Sequence, residues 1–185
     1  MIFKYVLTST LLVLLLLISS MASSLPFQGT KTVNINKSTI MNQKHLLKEV
    51  GNTTFSVLFW NIYKSKLLTT SGNYPIDVVN EKLIFEINYL TSISNEDLVE
   101  LTKEQWQHIG VKEEQYQPFL EELQSIWPDI IEGDTLSLLV NKDNSDFYFN
   151  QKYIGSIEGP GFGQLFIDIW LDDNTSQPEL RAELL

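Results

Sequence analysis

The chain has 185 residues, 43% of them hydrophobic and 19% charged, which excludes a disordered, collagen-like or polytopic membrane protein and suits one domain behind a leader. Its 13 Lys+Arg against 23 Asp+Glu give a net charge of −10, which opposes binding to nucleic-acid phosphates. With no cysteine, disulfides, a lipidated cysteine, a thiol nucleophile and thiolate metal sites are excluded.

The first element is a leader. One positive charge in Met1–Lys4 precedes an apolar run from Tyr5 to Ile18, and Ser20-Met21-Ala22 places small residues at the −3 and −1 positions. This pattern is that of a secretory signal peptide cleaved after Ala22. A membrane anchor would need about 20 apolar residues, more than this run offers, so no membrane span is expected after cleavage. Residues 23–185 then form one domain, and an exported, cysteine-free domain fits a bacterial periplasm. The Asn-x-Ser/Thr sequons at Asn36, Asn52 and Asn174 would matter only in a eukaryotic secretory pathway.

Alternation of Val33 and Ile35 with polar neighbours predicts a strand over 31–36. Thr54 to Leu67 reads as one strand, apolar on both faces and therefore covered on both. Ser71-Gly72-Asn73-Tyr74-Pro75 is a turn, and Lys82 to Leu90 returns as an antiparallel strand. From Ser94 the period changes to 3.6. One helix runs to Gly110, carrying Leu98, Leu101, Trp106 and Ile109, and a second runs from Glu113 to Trp127, carrying Tyr116, Phe119, Leu120, Leu123 and Ile126. Three short strands follow, Thr135–Val140, Asp146–Asn150 and Tyr153–Ile157. Gly159-Pro160-Gly161-Phe162-Gly163 leads into a helix with Phe162, Leu165, Phe166, Ile169 and Trp170 on its apolar side, and Pro178 opens a last helix. Strands that cluster in hairpins instead of alternating with helices predict an α+β fold, an antiparallel sheet with helices packed on one face.

The inventory for chemistry is thin. His45 and His108 lie on separate elements, and no His-Glu-x-x-His, Gly-x-Ser-x-Gly or Walker pattern occurs. The glycine run at 159–163 has the wrong spacing for a phosphate loop, and no pair of carboxylates is singled out. No metal and no cofactor is implied. The sole arginine, Arg181, is expected to pair with a nearby carboxylate.

Five motifs in order resemble the bacterial exported chalcone isomerase-like domain, over about Asn34 to Leu185. They are Phe59-Trp60-Asn61-Ile62-Tyr63-Lys64-Ser65-Lys66-Leu67; Trp127-Pro128-Asp129 with Gly133-Asp134; Phe147-Tyr148-Phe149-Asn150 with Ile154-Gly155-Ser156-Ile157; Ile169-Trp170-Leu171; and Thr175-Ser176-x-Pro178-x-Leu180-Arg181. The resemblance implies an open-faced β-sandwich with a cleft between sheet and helices. The superfamily includes plant chalcone-flavanone isomerases and fatty-acid-binding relatives. Laid on its motifs, Leu58 stands where the isomerases have a catalytic threonine and the lipid binders a tyrosine. Ser94 and Leu101 fall at an isomerase tyrosine and asparagine, Lys44 or Lys48 near the catalytic arginine, and Ile169 near the last threonine. Cyclisation needs a cation and hydroxyls around a developing enolate, so these replacements imply no catalytic residues and a protein that is not an enzyme. The implied ligand is a fatty acid or other apolar molecule held near Leu58, Trp60 and Leu101, with Lys48 facing a carboxylate. Two alternatives stay open: an intramolecular lyase with a replaced site, and a structural envelope protein with no small-molecule ligand. Protein partners are not specified by the sequence.

Overall fold

In the computed structural model, which describes residues 40–77 and 80–185, a short helix α1 (Met41–Lys44) precedes strands β1 (Lys48–Val57), β2 (Trp60–Thr69) and β3 (Leu83–Tyr89). Helices α2 (Asn95–His108) and α3 (Glu113–Ile126) follow, then β4 (Thr135–Val140), β5 (Asn144–Phe149), β6 (Lys152–Glu158), α4 (Phe162–Leu171) and α5 (Pro178–Leu184). The leader and the strand expected over 31–36 lie outside the described residues.

The expected strand from Thr54 to Leu67 is instead a hairpin. β1 ends at Val57, which pairs with Trp60, and the chain reverses over Leu58 and Phe59. Leu58 takes φ +56°, a left-handed conformation that turns reserve mostly for Gly or Asn. The apolar sequence through the turn hides the reversal. The six strands pair antiparallel in the order β1-β2-β3-β4-β5-β6, so the expected α+β architecture holds.

One row of paired residues crosses the sheet on its helix-covered face: Gly51, Leu67, Phe85, Leu138, Phe147 and Gly155. The two outermost members are glycine because helices come closest there. A Cβ on Gly51 would stand 2.6 Å from the carbonyl oxygens of Glu183 and Leu184 in α5, and one on Gly155 would stand 2.8 Å from Ile126 Cγ1 in α3. Leu83, Phe85, Ile87 and Tyr89 of β3 face the helices, whereas Ile84 turns to the other face with Leu68, Leu139, Tyr148 and Ile40, which flanks α1.

α2 starts at Ser94, whose Oγ accepts the Asp97 backbone N–H at 3.1 Å. It ends in a Schellman motif: Gly110 at φ +83° donates to Gln107 O, and Val111 donates to Trp106 O. The buried residues of α2 are Val99, Thr102 and Trp106: Trp106 is core as expected, with Leu98 and Ile109 partly buried against it, while Thr102 takes the inward place expected of Leu101. Thr102 fits there because its hydroxyl donates to Leu98 O at 2.8 Å. α3 buries Tyr116 and Leu123, with Phe119, Leu120 and Ile126 packed on the core, as the spacing predicts. Trp127-Pro128-Asp129 then ties the two helices together: Asp129 Oδ1 accepts the Asn95 N–H at 2.8 Å, the Asn95 amide donates to Trp127 O, and Ile130 bridges Ile93. Arg181 pairs with Asp173 at 2.6 Å, and its Nε donates to Leu171 O.

Candidate functional site

The space between sheet and helices is occupied by rings. Phe147 of β5 lies 5.5 Å from Trp127 and 5.9 Å from both Phe162 and Phe166, in edge-to-face arrangements. Trp106 Nε1 donates to Leu165 O at 2.8 Å, and Trp170 Nε1 donates to the Tyr63 hydroxyl at 2.9 Å. Burial pushes the Tyr63 phenol up to about 12 and that of Tyr89 higher than its ordinary value, so both stay neutral near pH 7. Among the described residues, the buried polar side chains are Thr53, Ser65, Thr69, Thr102, Ser137, Ser145, Asp146 and Thr175, none of them a cation.

The structure does not gather the residues singled out in the sequence. Lys48 opens β1 and Leu58 follows its end, about 30 Å apart along an extended strand. Lys48 is exposed and rests its Cβ over Gly72 in the turn after β2. Leu58 and Trp60 are 74% and 59% exposed at the hairpin tip, so they face solvent and line no cleft, because the chain reverses between them. Leu101 is half-buried on α2 outside the main core, since Val99 and Thr102 take the inward positions. Lys44 pairs with Glu86, on the sheet face away from α2 to α5. Ser94 is spent as a helix cap, and Ile169 is core, its carbonyl accepting the Thr175 hydroxyl at 2.7 Å.

Two concavities stand out among the described residues. The larger, about 430 Å³ and open to solvent, runs between α2 and α3, lined by Val99, Leu120, Glu121, Gln124 and Ser125. Its lining is mostly apolar and carries a carboxylate and no cation. The smaller, about 100 Å³, is lined by Tyr74, Pro75, Ile76, Gln164, Ile167, Asp168 and Leu171. Burial raises the Asp168 carboxyl above its usual range, while Gln164 donates to it at 2.5 Å. Among the described residues, no group of three or more His, Cys, Asp or Glu side chains could hold a metal, and no helix is long and apolar enough to cross a membrane.

An Arabidopsis thaliana fatty-acid binding protein of solved structure superposes with a TM-score of 0.58 at 10% identity, over 75% of this chain and 86% of that one. This likeness establishes the fold. A Haemophilus influenzae protein of uncharacterised function is 24% identical over 137 residues, 74% of this chain. The chain spans only 66% of that relative's length. The sequence profile described as chalcone isomerase-like matches residues 28–185, nearly the whole chain. This protein therefore belongs to the chalcone isomerase-like family.

Proposed function

We propose that the protein is a non-catalytic, exported member of this family that binds an apolar ligand of the acyl-chain class in the groove between α2 and α3. The observation that carries the reading is the groove itself. Its volume of about 430 Å³ falls within the roughly 300–1,000 Å³ range of small-molecule sites, and its apolar floor of Val99 and Leu120 suits a hydrocarbon tail. Likeness in fold to a fatty-acid binding protein supports the same ligand class. The lining carries the Glu121 carboxylate and no cation, so a ligand with a neutral head is favoured over a carboxylate. The ring-filled interior and its lack of a buried cation support the absence of isomerase chemistry. Export, with cleavage near Ala22 into a bacterial periplasm, is part of the proposal and rests on the leader's sequence.

Native mass spectrometry and lipid extraction of protein recovered from the periplasm of a Gram-negative host, beside a chalcone absorbance assay, test these points together. The expected result is a shortened chain, a co-purifying apolar molecule and no chalcone turnover. Turnover that a single substitution abolishes would restore the diverged-lyase alternative. A filled interior also favours a second reading, a structural or partner-binding protein without a small ligand, and a ligand-free protein that takes up no acyl chain would establish it.

A further inference from the structure

The β1–β2 hairpin ends in three consecutive large apolar side chains exposed to solvent: Leu58 at 74%, Phe59 at 96% and Trp60 at 59%. Scattered exposed apolar residues are ordinary, but a contiguous protruding cluster is not. The backbone beneath them is strained as well. Leu58 occupies the left-handed region at φ +56°, a position where Gly would relieve the strain and where selection for the turn alone would place it. The hairpin keeps a large apolar side chain there instead.

Two further observations narrow what covers this tip. From Val50 to Tyr63 the chain carries no Asp, Glu, Lys or Arg across 14 residues, in a protein whose net charge is −10. The tip therefore enters a medium of low dielectric without desolvating an ion. From the exposure of the three side chains, the apolar area offered is roughly 450 Å², with aromatic side chains contributing up to about 150–250 Å² each. A stable protein–protein interface needs about 800 Å² per partner, so the tip alone is too small for a dimer. Insertion of a wedge into lipid has no such threshold, because it requires only apolar side chains and a polar neck. Trp at the neck and Phe at the apex match the preference of indole for the headgroup layer and of Phe for the region beneath it.

We infer that the β1–β2 tip is a membrane-surface anchor that inserts Leu58, Phe59 and Trp60 into the headgroup and upper acyl region of a lipid bilayer. This inference is independent of the ligand groove. Attraction is apolar and not electrostatic, so neutral phosphatidylcholine vesicles are bound at least as well as vesicles containing phosphatidylglycerol, and high salt does not release the protein.

Trp60 makes the test direct, because Trp106 and Trp127 are buried and Trp170 is half-buried and bonded to Tyr63. On adding phosphatidylcholine vesicles the tryptophan emission shifts to the blue, and lipids brominated on the upper acyl chain quench it. Vesicle flotation recovers the protein with the lipid. Phe59→Asp reduces the bound fraction at least tenfold with an unchanged melting temperature, since the side chain touches solvent only. Leu58→Gly separates strain from binding: it leaves the protein equally or more stable and still weakens flotation. Three results would overturn the inference: no flotation with either lipid, binding confined to anionic vesicles and unaffected by Phe59→Asp, or a Phe59-dependent self-association with no lipid binding.

Discussion

Phe147→Ala probes the ring-filled interior at its centre. Phe147 is fully buried in the core row beside Gly155 and meets Trp127, Phe162 and Phe166 at 5.5, 5.9 and 5.9 Å. Removing a buried Phe side chain costs about 3–5 kcal/mol, the lost transfer energy plus the cavity left behind. Three edge-to-face pairs at about 0.5–1.5 kcal/mol each place this site in the upper part of that range. For a domain of this size about 1 kcal/mol moves the melting temperature by about 2–4 °C, so the melt should fall by roughly 8–20 °C. The cavity opened among the remaining rings is dry and apolar, and such cavities admit small aromatic molecules. Adding benzene or indole should then restore part of the loss in the variant and none in the wild type. Urea unfolding monitored by tryptophan fluorescence, with and without the aromatic, measures both effects. A loss below about 1 kcal/mol, or equal stabilisation of the wild type by benzene, would show that the interior already holds open space and would refute the packing argument.

Gly51→Ala should destabilise by about 1–3 kcal/mol through overpacking, because the new Cβ meets two α5 carbonyl oxygens at 2.6 Å; an unchanged melting temperature would mean that α5 does not seat on β1. Alkaline stability should fall as pH rises from about 10 toward 12. Tyr63 and Tyr148 are pushed up to about 12 by burial, so the native state keeps protons that the unfolded state releases, and stability present below pH 10 is lost as the folded groups ionise. A Tyr63→Phe variant should show a shallower decline in urea midpoints across that range. A decline of equal steepness would show that Tyr63 is not protected.

Much of the fold is legible in the sequence because its elements carry their own punctuation. Ser94 and Gly110 bracket α2, Trp127-Pro128 closes α3, and Pro178 opens α5, each by local chemistry that survives in isolation. The β1–β2 reversal is illegible for the opposite reason: Leu58 and Phe59 are not turn residues, and Leu58 adopts its left-handed conformation against its own preference. The reversal also displaces two of the expected binding residues, since a continuous strand would carry Leu58 and Trp60 inward, whereas a hairpin carries them to the tip. Register on α2 was ambiguous because Thr102 is polar by type yet buries well with its hydroxyl bonded to Leu98 O. The groove between α2 and α3 depends on how two helices lie against each other, which no local pattern encodes.

The most direct test of the ligand reading is a fluorescence titration with parinaric acid and its methyl ester, comparing the wild type with Ser125→Trp. Ser125 is exposed and lines the groove, so an indole there fills the site without disturbing the core. The account predicts saturable binding to the wild type, tighter for the neutral ester than for the acid because Glu121 lines the groove and no cation does, and at least tenfold weaker binding to Ser125→Trp at an unchanged melting temperature. Equal affinity in the two proteins, or no saturable binding to the wild type, would contradict it.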